Sequence, residues 1–295
     1  MQIILIKIYS MFRLKIVLAL SLFVSTVVAE ESKNHVKRVI SAGGALTEIV
    51  YALDAGNEVV AVDVSSMYPY EELNKLPKVG YYRQLSAEGL LSLKPTTLVA
   101  AKGAGPDVVL QQLVEAGVQV KLFEQYGYSL DAWQKLVMDI AKFFERTDFA
   151  KNFMKEKLAA IKTSQENRKY AQNTINAVLL MSAGQRGVMV AGENTMPNLL
   201  FELSGLNNVA LTIDGYKTMT NEGLVQANID MIVMPAHVVK SSGGKDAICE
   251  NPTIILSLKG ECNLYVMDPL LALGMGSRID LAVKELTEYA NQINL

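Results

Sequence analysis

Histidine and cysteine are nearly absent: the 295 residues contain two of each. His35 and His237 leave almost no raw material for a histidine-based catalytic centre or metal cluster. His237 follows Pro235-Ala236 at an expected strand end and reads as a lone surface side chain. Cys249 and Cys262 have no nearby histidine and no second cysteine pair, so they make a poor metal site. The phosphate-cradling Gly-Lys-Ser/Thr loop, the Gly-x-Ser-x-Gly elbow and the His-Glu-x-x-His helix are all missing. Charge of either sign is not in excess either. The formal net charge is -2, with no basic stripe and no arginine–aromatic cluster, which argues against nucleic acid as a partner. Half of the residues are apolar, which excludes a disordered chain.

A long hydrophobic run is confined to residues 16–28. It is short for a membrane span of about 20 residues. Lys7, Arg13 and Lys15 precede it, and Val27-Val28-Ala29 closes it before Glu30. This order predicts a secretory signal peptide over residues 1–29, with Met11 as an alternative start. No cysteine lies near the cleavage point, so no lipid anchor is expected and the mature chain belongs in a Gram-negative periplasm. The remaining chain of about 265 residues is long for one core and suits two lobes. Both cysteines are exported, so a structural disulfide is favoured over two free thiols, closing a surface loop or short helix. Such a bond is worth about 3 kcal/mol in the chain-entropy model.

What the chain does have is a segment that occurs twice. Residues 85–100 read LSAEGLLSLKPTTLVA, and residues 219–234 read MTNEGLVQANIDMIVM. Glu88 aligns with Glu222, Gly89 with Gly223, Leu90 with Leu224 and Val99 with Val233. Each copy predicts a polar cap, a short helix and a buried strand. A Gly-Tyr pair lies just upstream of each, Gly80-Tyr81 and Gly215-Tyr216. Two similar halves imply two similar lobes with a ligand cleft between them.

Hydrophobic patterning fills in the rest. Strands are expected at 39–41, 59–62, 98–101, 118–123 and 177–181, and helices at 47–53, 106–116, 129–146, 196–203 and 279–289. Residues 148–168 carry no Gly or Pro and place Phe149, Phe153, Leu158 and Ile161 near a four-residue spacing. They read as a rigid helix joining an N-terminal lobe (30–147) to a C-terminal lobe (173–295), the connector as a whole occupying 148–172. Strands alternating with helices make the fold α/β, with mostly parallel sheets covered on both faces. Met67, Met181, Met189, Met196 and Met275 fall at expected loops or strand ends, where some could line an adaptable apolar cleft.

The sharpest local signal is residues 78–88, KVGYYRQLSAE. It combines a glycine, two aromatics, an arginine and an acidic residue at a helix start. A phenol ionises near pH 10. Bound ferric iron and a nearby guanidinium would both favour the phenolate, a hard anionic ligand suited to ferric iron. Arginine also pairs well with a ligand carboxylate. On chemistry alone, a tyrosine packing on its own lobe is the plainer reading.

Residues 38–53 (RVISAGGALTEIVYAL), 79–95 (VGYYRQLSAEGLLSLKP) and 273–278 (LGMGSR) together resemble the periplasmic haemin-binding proteins of bacterial ABC haem importers. The likeness spans nearly the whole mature chain. Its broad pattern is shared with cobalamin- and siderophore-binding relatives, and the Gly-Tyr-x-Arg-Gln-Leu-Ser-Ala-Glu segment is the part specific to haem. The resemblance implies that Tyr81 is the axial iron ligand and that Arg83 supports that ligand and the propionates, with Tyr82 at the variable position between them. Tyr216 is the second-lobe counterpart by position. Some members hold a second haem through a histidine in the segment matching 181–184. That histidine is missing here, so one ferric haem is expected. The resemblance further implies docking on an inner-membrane ABC permease, with its ATPase on the far side, through Glu88 and Glu222, and an outer-membrane haem receptor upstream. Each glutamate alone also reads as a solvated residue favoured by the helix dipole. The expectation is a transport protein that performs no chemical step. The alternatives are a cobalamin or ferric-siderophore carrier, a haem store without a permease, or an exported two-domain enzyme using Glu88 or Glu222 as acid or base.

Overall fold

Short apolar strands alternate with helices from the first described residue. The structure is a computed structural model that describes residues 37–169, 174–182 and 187–293. The expected leader (1–29), His35, connector residues 170–172 and residues 183–184 lie outside them.

The first lobe runs β1 (Val39–Ala42), α1 (Gly44–Ala52), β2 (Val59–Val62), α2 (Tyr70–Leu73), α3 (Ala87–Ser92), β3 (Thr97–Ala101), α4 (Asp107–Glu115) and β4 (Gln119–Phe123). Its sheet has the order β2-β1-β3-β4 with every pairing parallel. All four residues of β1 are buried, as a central strand covered on both faces requires. Helices α5 (Leu130–Phe143) and α6 (Thr147–Glu166) follow. The second lobe runs β5 (Asn176–Leu179), β6 (Val188–Ala191), α7 (Met196–Ser204), β7 (Asn207–Asn208), β8 (Tyr216–Met219), α8 (Asn221–Gln226), β9 (Met231–Pro235), α9 (Ala236–Ser241), α10 (Lys245–Cys249), α11 (Pro252–Ser257), β10 (Leu264–Met267), α12 (Pro269–Leu273) and α13 (Ile279–Ala290). Its parallel sheet has the order β10-β9-β5-β7, and β6 and β8 form a separate antiparallel ribbon.

The duplicated segment folds the same way twice. Ser86 Oγ accepts from the Gly89 N–H at the start of α3, and Thr220 Oγ1 accepts from the Gly223 N–H at the start of α8. After each helix one non-glycine residue takes a left-handed conformation, Lys94 at φ 49° and Asn228 at φ 51°. A side chain from the strand start then holds that turn: Arg38 Nε donates to the Lys94 carbonyl at 3.0 Å, and Asn176 Nδ2 to the Asn228 carbonyl at 2.9 Å. The Gly-Tyr pairs are less alike. Tyr81 lies in a turn, whereas Tyr216 opens strand β8.

Helix α6 is 20 residues long, so it spans roughly 30 Å at 1.5 Å per residue. It buries Phe153, Met154 and Ile161 and stops at Glu166, short of the expected 168. Helix α5 also ends early, at Phe143 instead of Arg146, because Glu145 turns left-handed at φ 58°. The core beneath the lobes is continuous. Ile49, Val99 and Trp133 share one cluster with Ala177, Leu200, Met231 and Leu286. Met196 is fully buried in it, which removes that methionine from the cleft.

A polar clasp reinforces this junction. Glu48, on α1, is 2% exposed. Its carboxylate accepts from Arg278 through Nε (3.2 Å) and through the terminal guanidinium nitrogen, and from Ser277 Oγ at 3.3 Å. The Arg278 guanidinium stacks 3.8 Å from the Tyr68 ring centroid and lies 3.6 Å from Asp268. Tyr70 donates to Asp268 at 2.6 Å, and Trp133 Nε1 to the Gly276 carbonyl at 2.9 Å. Burial is the main influence on Glu48 and raises its pKa despite the opposing pull of Arg278. Cys249 and Cys262 are bonded, with Cα atoms 5.6 Å apart, and α11 lies between them.

Candidate functional site

Parallel strands deliver their C-terminal ends to one edge of the first lobe. The segment carrying Tyr81 is fastened there from both sides. The Val64 N–H, just beyond β2, donates to the Gly80 carbonyl at 2.9 Å. Beyond β3, the Gly105 N–H donates to the Tyr82 carbonyl at 3.0 Å, and the Leu85 N–H donates to the Gly105 carbonyl at 2.8 Å. The Gln84 N–H closes the turn on the Tyr81 carbonyl at 2.8 Å. Gly80 has φ +86°, a conformation in which a side chain is strained. The result is a rigid turn that presents Tyr81 outward, 42% exposed.

Arg83 engages the neighbour of Tyr81. Its Nε donates to the Tyr82 hydroxyl at 2.9 Å, and its guanidinium carbon lies 5.3 Å from the Tyr82 ring centroid. The Tyr81 and Tyr82 rings meet edge-on with centroids 4.9 Å apart. Tyr82 thus links Arg83 to Tyr81, a role its variable position gave no hint of. Burial raises the Tyr81 pKa and the Tyr82 phenol adds to it, while Arg83 pulls the other way. The Tyr81 phenol therefore keeps its proton at neutral pH until something displaces it.

Tyr82 and Arg83 border a 290 Å³ cavity between the lobes. Gly43, Lys102 and Gln125 line it from the first lobe, and Leu273, Gly274 and Met275 from the second. Gln125 Nε2 reaches Met275 Sδ at 3.8 Å across it. Lys102, also in its lining, pairs with Glu124 at 2.6 Å.

Tyr216 is 38% exposed on β8. Burial around its phenol pushes its pKa well up, with Tyr128 of the first lobe as the second cause. Glu88 and Glu222 are both exposed in the first turns of the equivalent helices α3 and α8. Neither lines the interlobe cavity, so its geometry lends no support to an acid–base pair. His237 is exposed on α9. Among the described residues no group of three or more His, Cys, Asp or Glu could hold a metal ion, and no helix is long and apolar enough to cross a membrane.

Two α/β lobes over one core, bridged by a single long helix, define a bilobal solute-binding protein with its ligand cleft between the lobes. The chain belongs to the periplasmic binding protein family, whose model matches residues 39–255. Among solved structures, the periplasmic haem-binding protein RhuT from Roseiflexus is similar with TM-score 0.79 and 31% identity, covering 87% of this chain and 99% of that one. The periplasmic haem-binding protein HutB of Vibrio cholerae is similar with TM-score 0.78 and 30% identity, covering 86% and 98%. The vitamin B12-binding protein of Vibrio parahaemolyticus is 27% identical over 241 residues, 78% of this chain and 81% of that one. An ABC transporter substrate-binding lipoprotein of Bacillus subtilis, YvrC, is 28% identical over 261 residues, 87% and 80%. By their names these relatives are solute-binding proteins, and one of them serves an ABC transporter.

Proposed function

We propose that this chain captures ferric haem in the cleft and delivers it to an inner-membrane ABC permease from the periplasm. The observation that carries this reading is the doubly fastened turn that presents an exposed phenol, Tyr81, beside Tyr82 and Arg83. Two haem-binding structural neighbours at 30% and 31% identity support it. Tyr81 gives up its proton as its oxygen takes the axial position on iron. Arg83 favours that phenolate through Tyr82 and offers its guanidinium to a propionate. Porphyrin burial between the lobes supplies the rest of the affinity. Glu88 and Glu222 then dock one lobe each on a two-fold symmetric permease, whose ATPase drives release. The chain itself performs no catalysis.

The test is a titration of the mature protein with ferric haemin, followed in the visible spectrum, beside Tyr81→Ala. Saturation near one haem per chain, with a tyrosinate-type spectrum lost in the variant, is the expected result. A second reading, cobalamin carriage, is favoured by the B12-binding relative. Under it, cobalamin saturates the protein and Tyr81→Ala leaves its affinity intact.

A further inference from the structure

The two copies of the duplicated segment are backed by different structures. In the first lobe the chain between β3 and β4 forms one nine-residue helix, α4, and Leu90 of α3 is buried in a cluster with Val109 and Leu113 of that helix. In the second lobe the chain between β9 and β10 is broken into α9, α10 and α11, of six, five and six residues. Helices of that length are marginal on their own. The Cys249–Cys262 bond falls in this stretch. It ties the last residue of α10 to a point two residues ahead of β10 and encloses α11.

Helix α8, which carries Glu222, leans on the closed loop. It has six residues and buries one of them, Leu224. Helix α11 packs directly on it. Leu224 shares a cluster with Ile248, just ahead of the loop, and with Ile254 and Leu258 inside it, and both cysteines pack against that cluster. A polar tie runs alongside. Lys259, also inside the loop, reaches Asp230 at 2.9 Å, immediately ahead of β9. Asp230 aligns with Thr96 in the first copy. Each side chain accepts a backbone N–H at the start of a sheet strand, Thr96 from Arg38 and Asp230 from Asn176, both at 2.9 Å. Asp230 adds the tie to Lys259, an ion pair that an uncharged threonine does not form. Away from Leu224, the side chains of Glu222, Val225 and Gln226 are exposed, and their spacings of three and four place them on one face.

We infer that the Cys249–Cys262 loop is a brace for Glu222. The bond fixes α11, α11 holds Leu224, and Leu224 sets where α8 presents the carboxylate. The inference rests on the docking role proposed for Glu222 and adds that the second lobe presents that carboxylate in register only while the bond is closed. Glu88 receives the same support from the single helix α4, without a crosslink.

The test compares the mature protein with Cys249→Ser/Cys262→Ser and with Lys259→Gln, which keeps the bond and cuts the polar tie. Amide hydrogen exchange is read in α8, with α3 as the internal reference. Exchange in α8 should quicken about tenfold or more in the cysteine variant and less in Lys259→Gln, while α3 keeps its wild-type rate. Affinity for the cognate permease in lipid nanodiscs should fall in the cysteine variant. The cysteine changes should add no further loss to Glu222→Lys, because both act through one carboxylate, and should add their full loss to Glu88→Lys. Unchanged α8 exchange in both variants would overturn the inference, and equal quickening in α3 and α8 would do so by making the bond a general stabiliser. Quickened α8 exchange with wild-type permease affinity would overturn it too, while a loss in Glu222→Lys kept the docking role standing. Wild-type permease affinity of Glu222→Lys itself removes the docking role, and the inference falls with it.

Discussion

Replacing Arg278 with methionine should be among the most damaging single changes in this protein. Methionine keeps much of the side-chain volume and removes the charge. Glu48, 2% exposed, would keep only the Ser277 hydroxyl at 3.3 Å as a donor. Breaking a buried ion pair from one side costs about 3–5 kcal/mol. At this chain length that corresponds to a drop in Tm of roughly 6–20 °C. The loss should depend on pH, and its sign is fixed. Burial already raises the Glu48 pKa with Arg278 present, so without Arg278 it rises further. A carboxyl whose folded pKa is raised contributes stability below its unfolded pKa and loses it as pH rises through the folded value. The deficit of Arg278→Met should therefore shrink from pH 7.5 toward pH 5. Glu48→Gln combined with Arg278→Met, which removes both charges, should recover much of it at neutral pH. The assay is urea unfolding of wild type, Arg278→Met and the double variant at both pH values. A deficit below about 1 kcal/mol, or one independent of pH, would refute the claim that this pair is buried and coupled.

Three further outcomes are expected. On the proposed haem reading, Tyr81 holds its proton at neutral pH and gives it up on binding iron, so haemin affinity should rise about tenfold per pH unit across mildly acidic pH; Tyr81→Phe should abolish the slope. Reversing both Glu88 and Glu222 to lysine should leave haemin titrations unchanged and eliminate haem-dependent growth of cells that rely on this importer; intact growth would remove the docking role. Replacing Cys249 and Cys262 with serine should cost about 3 kcal/mol in chemical unfolding, the chain-entropy value for a loop of this length, and leave ligand binding unaltered.

Local chemistry was legible in the sequence, and long-range partnership was not. Ser86, Ser129 and Thr220 announce their helices because a hydroxyl accepts from an N–H only three residues on. The duplicated segment announced two lobes because a cap, an apolar helix face and a buried strand leave their pattern within sixteen aligned positions. Strand β6 and its antiparallel pairing with β8 were missed, since Tyr216 to Met219 shows no buried alternation and the partner lies some distance upstream. The resemblance gives Arg83 the support of Tyr81 and the propionates, but no local pattern shows that its Nε donates to the Tyr82 hydroxyl. The Glu48–Arg278 pair spans 230 positions, and no local pattern could join the two. The Leu-Gly-Met-Gly-Ser-Arg motif at 273–278 did signal that the end of the chain mattered, though it gave no sign that its arginine locks the lobes together.

The core that runs unbroken beneath both lobes also bears on residence time. A binding protein that snaps shut makes its ligand wait for reopening, so escape is limited by a conformational gate. Here the shared cluster around Trp133 and the Arg278 clasp leave little room for such a gate. Departure of the cargo is then limited by the bonds it makes. On the haem reading, transfer to an acceptor such as apomyoglobin should follow a single exponential whose rate tracks substitutions in the cleft and ignores solvent viscosity. Differences in affinity between cargoes should then appear mainly in the off-rate.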